Sequence, residues 1–248
     1  MRCVPAFELP ALVQLKGEGH RVVESQAQVA TLELVDDLEE QALLEELLES
    51  SKPGVLPEGR HYLIATPFRY PPLRHGSRYG TTDQRGIFYG SERLETALAE
   101  TAFYALLFVE HAEGFEMPTV DKTSFTFDFA TRAGLDTTTP PFEPIRAELE
   151  APGDYTTAQR VGRLAREAGV QVIRFRSSRC PEGGLNLAVL AIDALGPQPG
   201  PKANWRMRVH QGRVEFLEAN AGDPRRLSFS AADFATGGAD THPDRRAP

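Results

Sequence analysis

Three segments of the chain repeat apolar residues every three or four positions, which is the spacing of an amphipathic helix. They cover residues 33–50, 92–112 and 156–169. Ser91 directly precedes the second segment, and Thr157 lies at the start of the third. Both are residue types that cap helices. We therefore predict a helix in each segment, the first with an acidic outer face.

Shorter apolar or alternating runs indicate strands between and after these helices. We predict strands at residues 61–66, 85–90, 124–129, 170–175 and 185–192. The last run is almost entirely apolar, so we place it in the middle of the sheet. Residues 130–156 are rich in Thr, Pro and Gly, which predicts a long loop, and loops of that length are often functional.

The order of these elements predicts an α+β fold with one main domain. Residues 1–60 are interpreted as an N-terminal helical extension, and residues 61–195 as the core. Residues 196–232 are predicted to form a C-terminal β-hairpin packed on that core, with its turn at Gln211-Gly212. Residues 233–248 are expected to be a disordered tail.

Charge and composition narrow the range of partners. The 248 residues carry a net charge of −8, which argues against a surface that binds nucleic acid directly. No apolar run is long enough to span a membrane, and the N-terminus lacks the pattern of a signal peptide. The two cysteines, Cys3 and Cys180, suit a reducing compartment. We therefore expect a cytoplasmic protein with a local site for a small anion.

The segment RYPPLRHGSRYG, residues 69–80, concentrates positive charge in this acidic chain. Arginines such as Arg69 and Arg78 offer paired donors that match a phosphate, and Tyr79 adds an aromatic ring. The segment therefore suits a diphosphate. The alternative, that some of these arginines face solvent or pair with surface acids, stays open for each arginine taken alone.

Two other places carry candidate chemistry. Tyr89 ends a predicted strand, and Glu100 lies within the following helix, either exposed at the edge of its apolar stripe or at a cleft. A Ser-Ser-Arg turn at residues 177–179 precedes Gly183-Gly184, and its serines are turn formers or ligand contacts. No pair of histidines has the spacing of metal ligands, and no phosphate loop or nucleophile elbow is present. We expect no metal.

Taken in order, these pieces resemble the RES family, named for an arginine, a glutamate and a serine. The family pattern has an early arginine, a G-x-R-[FYW] segment, and a tyrosine followed eleven residues later by a glutamate. A serine-x-arginine turn and a G-G-x-N-L strand come last. Here the pieces read FRYPP, GSRYG, IFYGSERLETALAE and RSSRCPEGGLNLAVL, from about residue 60 to 195.

The resemblance implies a toxin of a type II toxin–antitoxin pair, with an Xre-like helix-turn-helix antitoxin as partner. It also implies a mixed β core with flanking helices, similar to ADP-ribosyltransferases, and consumption of NAD by hydrolysis, phosphorolysis or ADP-ribosyl transfer. A homodimer within a toxin–antitoxin hetero-oligomer is compatible with this family. A non-catalytic protein that binds an acidic peptide, or an enzyme for another nucleotide, is the alternative.

The resemblance also assigns roles to individual residues. Glu100 would stabilise the charge that develops on the ribose. The arginines at 69 and 78 would bind the diphosphate of NAD, with the first also counted as catalytic. Tyr79 or Tyr89 would stack on nicotinamide. Ser177 would hydrogen-bond NAD, and Ser178 is the alternative if the register shifts by one residue.

Overall fold

The computed structural model of the chain describes residues 9–25, 40, 57–70, 72, 74–112, 117–219 and 221–234. Apart from Glu40, the helix predicted over residues 33–50 lies outside the described residues. Most of the tail predicted over 233–248 also lies outside them.

Eight strands form one mixed sheet in the described residues. They are β1 (Val13–Glu24), β2 (Phe88–Ser91), β3 (Val120–Asp136), β4 (Val172–Arg176), β5 (Leu185–Val189), β6 (Lys202–His210), β7 (Arg213–Ala219) and β8 (Arg226–Ser230). The strand order is β1-β2-β5-β4-β3-β6-β7-β8, and β1 also pairs with β3. The sheet therefore closes on itself through β1, with the hairpin strands extending from β3.

Helices flank this sheet. They are α1 (Tyr62–Arg69), α2 (Leu94–His111), α3 (Arg146–Leu149), α4 (Thr156–Glu167) and α5 (Ala231–Phe234), with 3₁₀ turns at Glu143–Ile145 and Ile192–Ala194. The predicted α+β class and the position of β5 inside the sheet are confirmed. The only parallel pair among the described strands is β3 with β4, and the others are antiparallel.

Strand β3 organises the fold because it pairs along both edges. One edge carries β1 from Val13 to Glu24, while the other carries β6 and then β4. The phenylalanines of β3 fill the interior beside Phe88 and Leu187. Gly90 of β2 lies over Phe127, and a Cβ there would come within 2.5 Å of the ring. Close packing at this point brings β2 near β1.

The prediction of a helical extension is wrong for residues 13–24, which form β1 within the sheet. Two glycines, Gly17 and Gly19, obscure the pattern of the strand, because a side chain would be crowded by Phe129 at the first and would clash with Phe127 at the second. A Cβ at Gly19 would lie 2.4 Å from the ring of Phe127. An extension expected outside the core thus supplies one of its strands.

The strand predicted at residues 61–66 is also wrong, because this segment begins helix α1. His61 caps that helix by accepting a hydrogen bond from the backbone N–H of Leu63, at 3.1 Å, through Nδ1. Leu63, Ile64 and Ala65 are buried. A short apolar run does not distinguish a buried strand from a buried helical turn.

Several boundaries differ from the predictions. Ser91 is the last residue of β2, and the N-cap of α2 is Arg93. Tyr155, rather than Thr157, occupies the N-cap position of α4. The loop predicted over residues 130–156 begins only after β3 ends and contains α3. These shifts place Tyr155 at the junction between a loop and a helix.

The predicted C-terminal hairpin is present as β6 and β7, and it continues the sheet rather than packing on it as a separate layer. Its turn residues, Gln211 and Gly212, have φ values of 48° and 70°. A two-residue turn of this kind matches the twist of paired strands. Strand β8 adds a further strand at the edge.

Candidate functional site

A cavity of about 390 Å³ opens where β1, β2, α2 and three loops meet. Its lining includes three of the predicted site residues, Arg78, Tyr89 and Glu100, and also contains the ionisable residues Arg21, Tyr155 and Arg179. A larger groove of about 760 Å³ lies between α2 and the hairpin, and it contains none of the predicted site residues. The smaller cavity is therefore the candidate site.

Glu100 lies on α2 and faces the cavity with 22% of its side chain exposed. The sequence left open whether Glu100 is exposed at the edge of its helix or lies at a cleft, and the structure places it at the cleft. Ser177 Oγ and Asn186 Nδ2 donate to Oε1 at 2.7 and 2.6 Å, and Arg179 Nη1 donates to Oε2 at 2.8 Å. These donors fix the carboxylate in one orientation.

The surroundings of Glu100 hold it in the charged form. Burial alone would raise its pKa, but the charge of Arg179 and the hydrogen bonds from Ser177 and Arg179 outweigh that effect and lower the pKa below its usual value. Arg78 contributes in the same direction. A carboxylate with this environment is a permanent negative charge near neutral pH.

Ser177 supports Glu100 from the turn after β4. Its Oγ accepts hydrogen bonds from the backbone N–H groups of Arg179 and Cys180, at 3.1 and 3.0 Å. Its own proton is therefore directed at Glu100. Ser177 is buried and does not line the cavity, so the structure places it behind the carboxylate instead of against a ligand. The neighbouring Ser178 accepts from Arg78 Nη2 at 2.7 Å.

Arg78 is a buried cation at the wall of the cavity. Its Nη1 donates to the carbonyl oxygens of Leu149 and Ala151, at 2.7 and 3.0 Å. Its Cζ lies 4.8 Å from the centroid of the Tyr155 ring. Within the described part of the chain, no carboxylate pairs with Arg78. No carboxylate in direct contact therefore neutralises the charge of Arg78, and this charge can attract an anion in the cavity.

Arg21 is a functional candidate that sequence reasoning missed. It lies on β1, lines the cavity, and donates through Nη1 to the carbonyl oxygen of Tyr89. Its Cζ stacks 4.7 Å from the centroid of Phe88, and burial lowers the pKa of Arg21 to about 10. Among the described residues, it too has no carboxylate partner. A single arginine in an unremarkable segment gave no signal in the sequence.

Besides Ser177, two predicted site residues are absent from the lining of the cavity. Arg69 is the last residue of α1 and is not part of the lining, whereas Arg78, Tyr89 and Glu100 all line the cavity. Tyr79 is fully buried, with its ring 4.9 Å from that of Phe175. The expected stacking of Tyr79 on a ligand is corrected, because its side chain belongs to the core.

Tyr89 does line the cavity, but its hydroxyl is engaged. The hydroxyl accepts from the backbone N–H of Tyr79 at 3.0 Å and donates to Ser77 Oγ at 2.9 Å. Burial is the main cause that raises the pKa of Tyr89. Tyr89 thus ties the loop before β2 to the sheet, and this leaves its ring as the part that faces the cavity.

Two further aromatic residues at the cavity were missed by the sequence analysis. Tyr104 follows Glu100 by one helical turn, and its ring centroid lies 4.5 Å from Cζ of Arg179. Tyr155 accepts a hydrogen bond from Arg179 Nη2 at 2.6 Å. A tyrosine four residues after a candidate carboxylate was the only sequence signal that could have found Tyr104.

The cavity has a net positive charge. Its described lining contains three guanidinium groups, from Arg21, Arg78 and Arg179, and one carboxylate, from Glu100. Three positive charges and one negative charge leave a balance of two positive charges. Burial lowers the pKa of His20, also in the lining, and so favours its neutral form. The site therefore suits a ligand with two negative charges.

A model of the RES domain family matches residues 54–210, which is more than half of the chain. The chain belongs to the RES domain family. The resemblance inferred from the motifs is therefore confirmed. Glu100, Arg78 and Tyr89 lie within the matched part of the RES domain, whereas Arg21 lies before it.

This RES domain protein also has likenesses among solved structures. It is similar to a chain of the "Crystal structure of the M.tuberculosis MbcT-MbcA toxin-antitoxin complex", with 14% sequence identity and a TM-score of 0.48. The likeness covers 78% of this chain and 86% of that chain. A search of curated proteins returned no match.

The described residues also bear on metal binding and on membrane-spanning helices. They contain no cluster of three or more His, Cys, Asp or Glu side chains that could hold a metal ion. None of the helices within the described ranges has the length and apolar character needed to cross a membrane.

Proposed function

We propose that this RES domain protein cleaves NAD at the bond between nicotinamide and ribose. The charge balance of the cavity carries the proposal: Arg21 and Arg78 leave two positive charges beside the fixed carboxylate of Glu100. A diphosphate complements the arginines, and a sugar that becomes positively charged complements the carboxylate. Membership of the RES family favours the same substrate.

The chemistry requires little of the protein beyond binding and charge. The bond between ribose C1′ and the nicotinamide nitrogen breaks, and its electron pair stays on that nitrogen. Nicotinamide therefore leaves as a neutral molecule and needs no general acid. Positive charge builds on the ribose, as in glycoside cleavage. An acceptor then bonds to C1′ and loses its proton.

Glu100 would stabilise the positive charge on the ribose, because a carboxylate held by three donors needs no reorganisation when that charge develops. Its lowered pKa supports this role, since the group is ionised at neutral pH. Ser177 would keep the carboxylate oriented from behind. Its predicted direct contact with NAD is replaced in this proposal by contact with Glu100.

Arg21 and Arg78 would bind the diphosphate. Both guanidinium groups already use part of their donors on protein oxygens, which fixes their positions before a ligand arrives. Arg21 replaces Arg69 in this role, because Arg69 is not in the lining. Tyr89 and Tyr104 offer ring surfaces for nicotinamide, a contact of about 0.5–1.5 kcal/mol beyond area burial.

We also propose the cellular role that the family implies. The protein would act in the cytoplasm as the toxin of a toxin–antitoxin pair, neutralised by an Xre-like helix-turn-helix antitoxin and assembled with it, as a homodimer, in a hetero-oligomer. Its mixed sheet with flanking helices would correspond to the core of ADP-ribosyltransferases. Expression without the antitoxin should stop growth and deplete cellular NAD, whereas a non-catalytic binding protein would do neither.

The direct test is to incubate the purified full-length protein with NAD, with and without phosphate or cell lysate. Mass spectrometry of the products should show free nicotinamide in each arm that contains the acceptor, and therefore in at least one arm. Free ADP-ribose, a phosphorylated ADP-ribose or a modified protein would then identify water, phosphate or a side chain as the acceptor. Intact NAD in all arms, or turnover of a different nucleotide instead, would contradict the proposal.

A further inference from the structure

We infer that Tyr155 is a positioning residue, which holds Arg179 against Glu100 with its hydroxyl and Arg78 at the cavity wall with its ring. The inference rests on the proposed function, since it concerns how the same cavity is kept ready for NAD. Tyr155 lies in the loop that leads into α4, within none of the four motifs that carry the family resemblance.

The geometry of Tyr155 serves two cations at once. Its hydroxyl oxygen accepts a hydrogen bond from Arg179 Nη2 at 2.6 Å, and the face of its ring lies 4.8 Å from Cζ of Arg78. Tyr155 is buried, with 9% of its surface exposed, so neither contact is diluted by solvent. One side chain therefore connects the residue that pairs with Glu100 to a residue proposed to bind phosphate.

The contacts of Arg179 explain why its orientation matters. Its Nη1 donates to Glu100 at 2.8 Å, its Nη2 donates to Tyr155 at 2.6 Å, and its Cζ lies 4.5 Å from the centroid of the Tyr104 ring. Its guanidinium also lies 4.2 Å from the centroid of Phe103. The plane of the guanidinium is thus fixed at both ends. Without the hydrogen bond to Tyr155, the guanidinium of Arg179 could rotate and its hydrogen bond to Glu100 would be less well aligned.

A phenol suits this position because it orients a cation without neutralising it. A carboxylate in place of Tyr155 would compete with Glu100 for the charge of Arg179 and would raise the pKa of Glu100 by repulsion. The ring likewise stabilises Arg78 through its face and leaves the positive charge of Arg78 available. Tyr155 therefore orders the two arginines and preserves the net charge of the site.

Two substitutions separate the hydroxyl from the ring. Tyr155→Phe removes the hydroxyl, with its contacts to Arg179 and Tyr104, and keeps the ring beside Arg78, so kcat for NAD should fall about tenfold while KM stays near the wild-type value. Tyr155→Leu removes the ring under Arg78 as well, so KM should also rise about fivefold. A purely structural tyrosine would lower thermal stability in both variants without this division between kcat and KM.

The pH profile gives a readout that loss of packing does not move. In Tyr155→Phe the charge of Arg179 is held less firmly beside Glu100, so the pKa of Glu100 should rise. The acid limb of kcat/KM should therefore shift to higher pH. Tyr79→Phe is the matched control, because it removes the hydroxyl of another buried tyrosine outside the cavity. That variant should keep the wild-type kcat and acid limb.

Two results would overturn the inference. One is a Tyr155→Phe enzyme with wild-type kcat and an unshifted acid limb. The other is a crystal structure of that variant with Arg179 unmoved against Glu100, which decides the matter even if the wild-type protein consumes no NAD and the proposed function fails. If Tyr155→Phe does not fold, Arg179→Lys serves instead. It keeps a positive charge but cannot bridge Glu100 and Tyr155, so an unchanged kcat and acid limb would refute the inference.

Discussion

The cavity and the groove lie beside the same helix, α2, yet they differ in chemistry. The cavity, about 390 Å³, contains three arginines and a carboxylate that is hydrogen-bonded to one of them, while the groove, about 760 Å³, is lined by apolar side chains such as Phe103 and Leu107 together with Glu110 and Arg208. The comparison shows that the larger of two concave regions need not be the one that contains the candidate catalytic residues. A perturbed carboxylate with a specific charged partner is a better guide.

The two stripes of α2 show how one segment serves both regions. Ala97, Glu100 and Tyr104 face the cavity, whereas Phe103 and Leu107 face the groove. Each set follows the three-four spacing of one helical face. Phe103 also lies against Arg179, so the wall between the two regions is a single aromatic layer.

The largest expected effect is a loss of kcat when the carboxylate of the cavity is removed, compared with no loss when a carboxylate of the groove is removed. Glu100→Gln should lower kcat about 10²–10³-fold, because the amide keeps the shape but removes the charge that stabilises the ribose. Glu110→Gln, on the same helix at the groove, should leave kcat unchanged. Steady-state kinetics with NAD measure both. Equal activity of the two variants would remove the distinction between the regions.

The next effect concerns the cations. Arg21→Met and Arg78→Met should each raise KM for NAD about tenfold or more, since each removes a charged donor to the diphosphate. Arg208→Met, at the groove, is the matched control and should behave like the wild type. Titration of NAD with each variant provides the test. If Arg21→Met binds NAD as tightly as the wild type does, Arg21 does not contact the diphosphate and β1 has only a structural role.

A smaller effect distinguishes the two serines of the turn. Ser177→Ala should lower kcat about tenfold, because it removes a donor to Glu100. Ser178→Ala should instead change KM a few-fold, since Ser178 contacts Arg78. The same kinetic assay separates the two outcomes. The reverse pattern would show that the register of the serines has been assigned wrongly.

The smallest change is a shift in pH dependence. Burial raises the pKa of Glu100, while Arg179 and its hydrogen bonds lower it below the usual 4.5. Glu100 loses its charge as pH falls through this lowered value, so the acid limb of kcat/KM should lie below pH 4.5. In Arg179→Met the effect of burial remains, and the limb should move upward. A limb at the same pH in both proteins would exclude Glu100 as its origin.

Local patterns in the sequence predicted part of this site well. The helix that carries Glu100 follows a clear apolar spacing, and Ser177 and Arg179 stand two residues apart in a turn. Such features depend on neighbours along the chain. The resemblance to the RES family, rather than these local patterns, led to the expectation that Arg78, Tyr89 and Glu100 share one site, and all three line the cavity.

Features that depend on distant contacts were not predictable. Arg21 reaches the cavity only because β1 pairs with β3 more than a hundred residues later along the chain. Tyr79 and Tyr89 look equivalent in sequence, but packing places the ring of Tyr79 in the core. The helical form of residues 62–69 depends on a cap from His61 that an apolar run conceals.

The most direct test of the central claim is a crystal structure of the Glu100→Gln variant with NAD bound. The account predicts that the diphosphate contacts Arg21 and Arg78 and that ribose C1′ lies in van der Waals contact with residue 100. NAD bound in the groove, or bound in the cavity with its ribose turned away from residue 100, would contradict it.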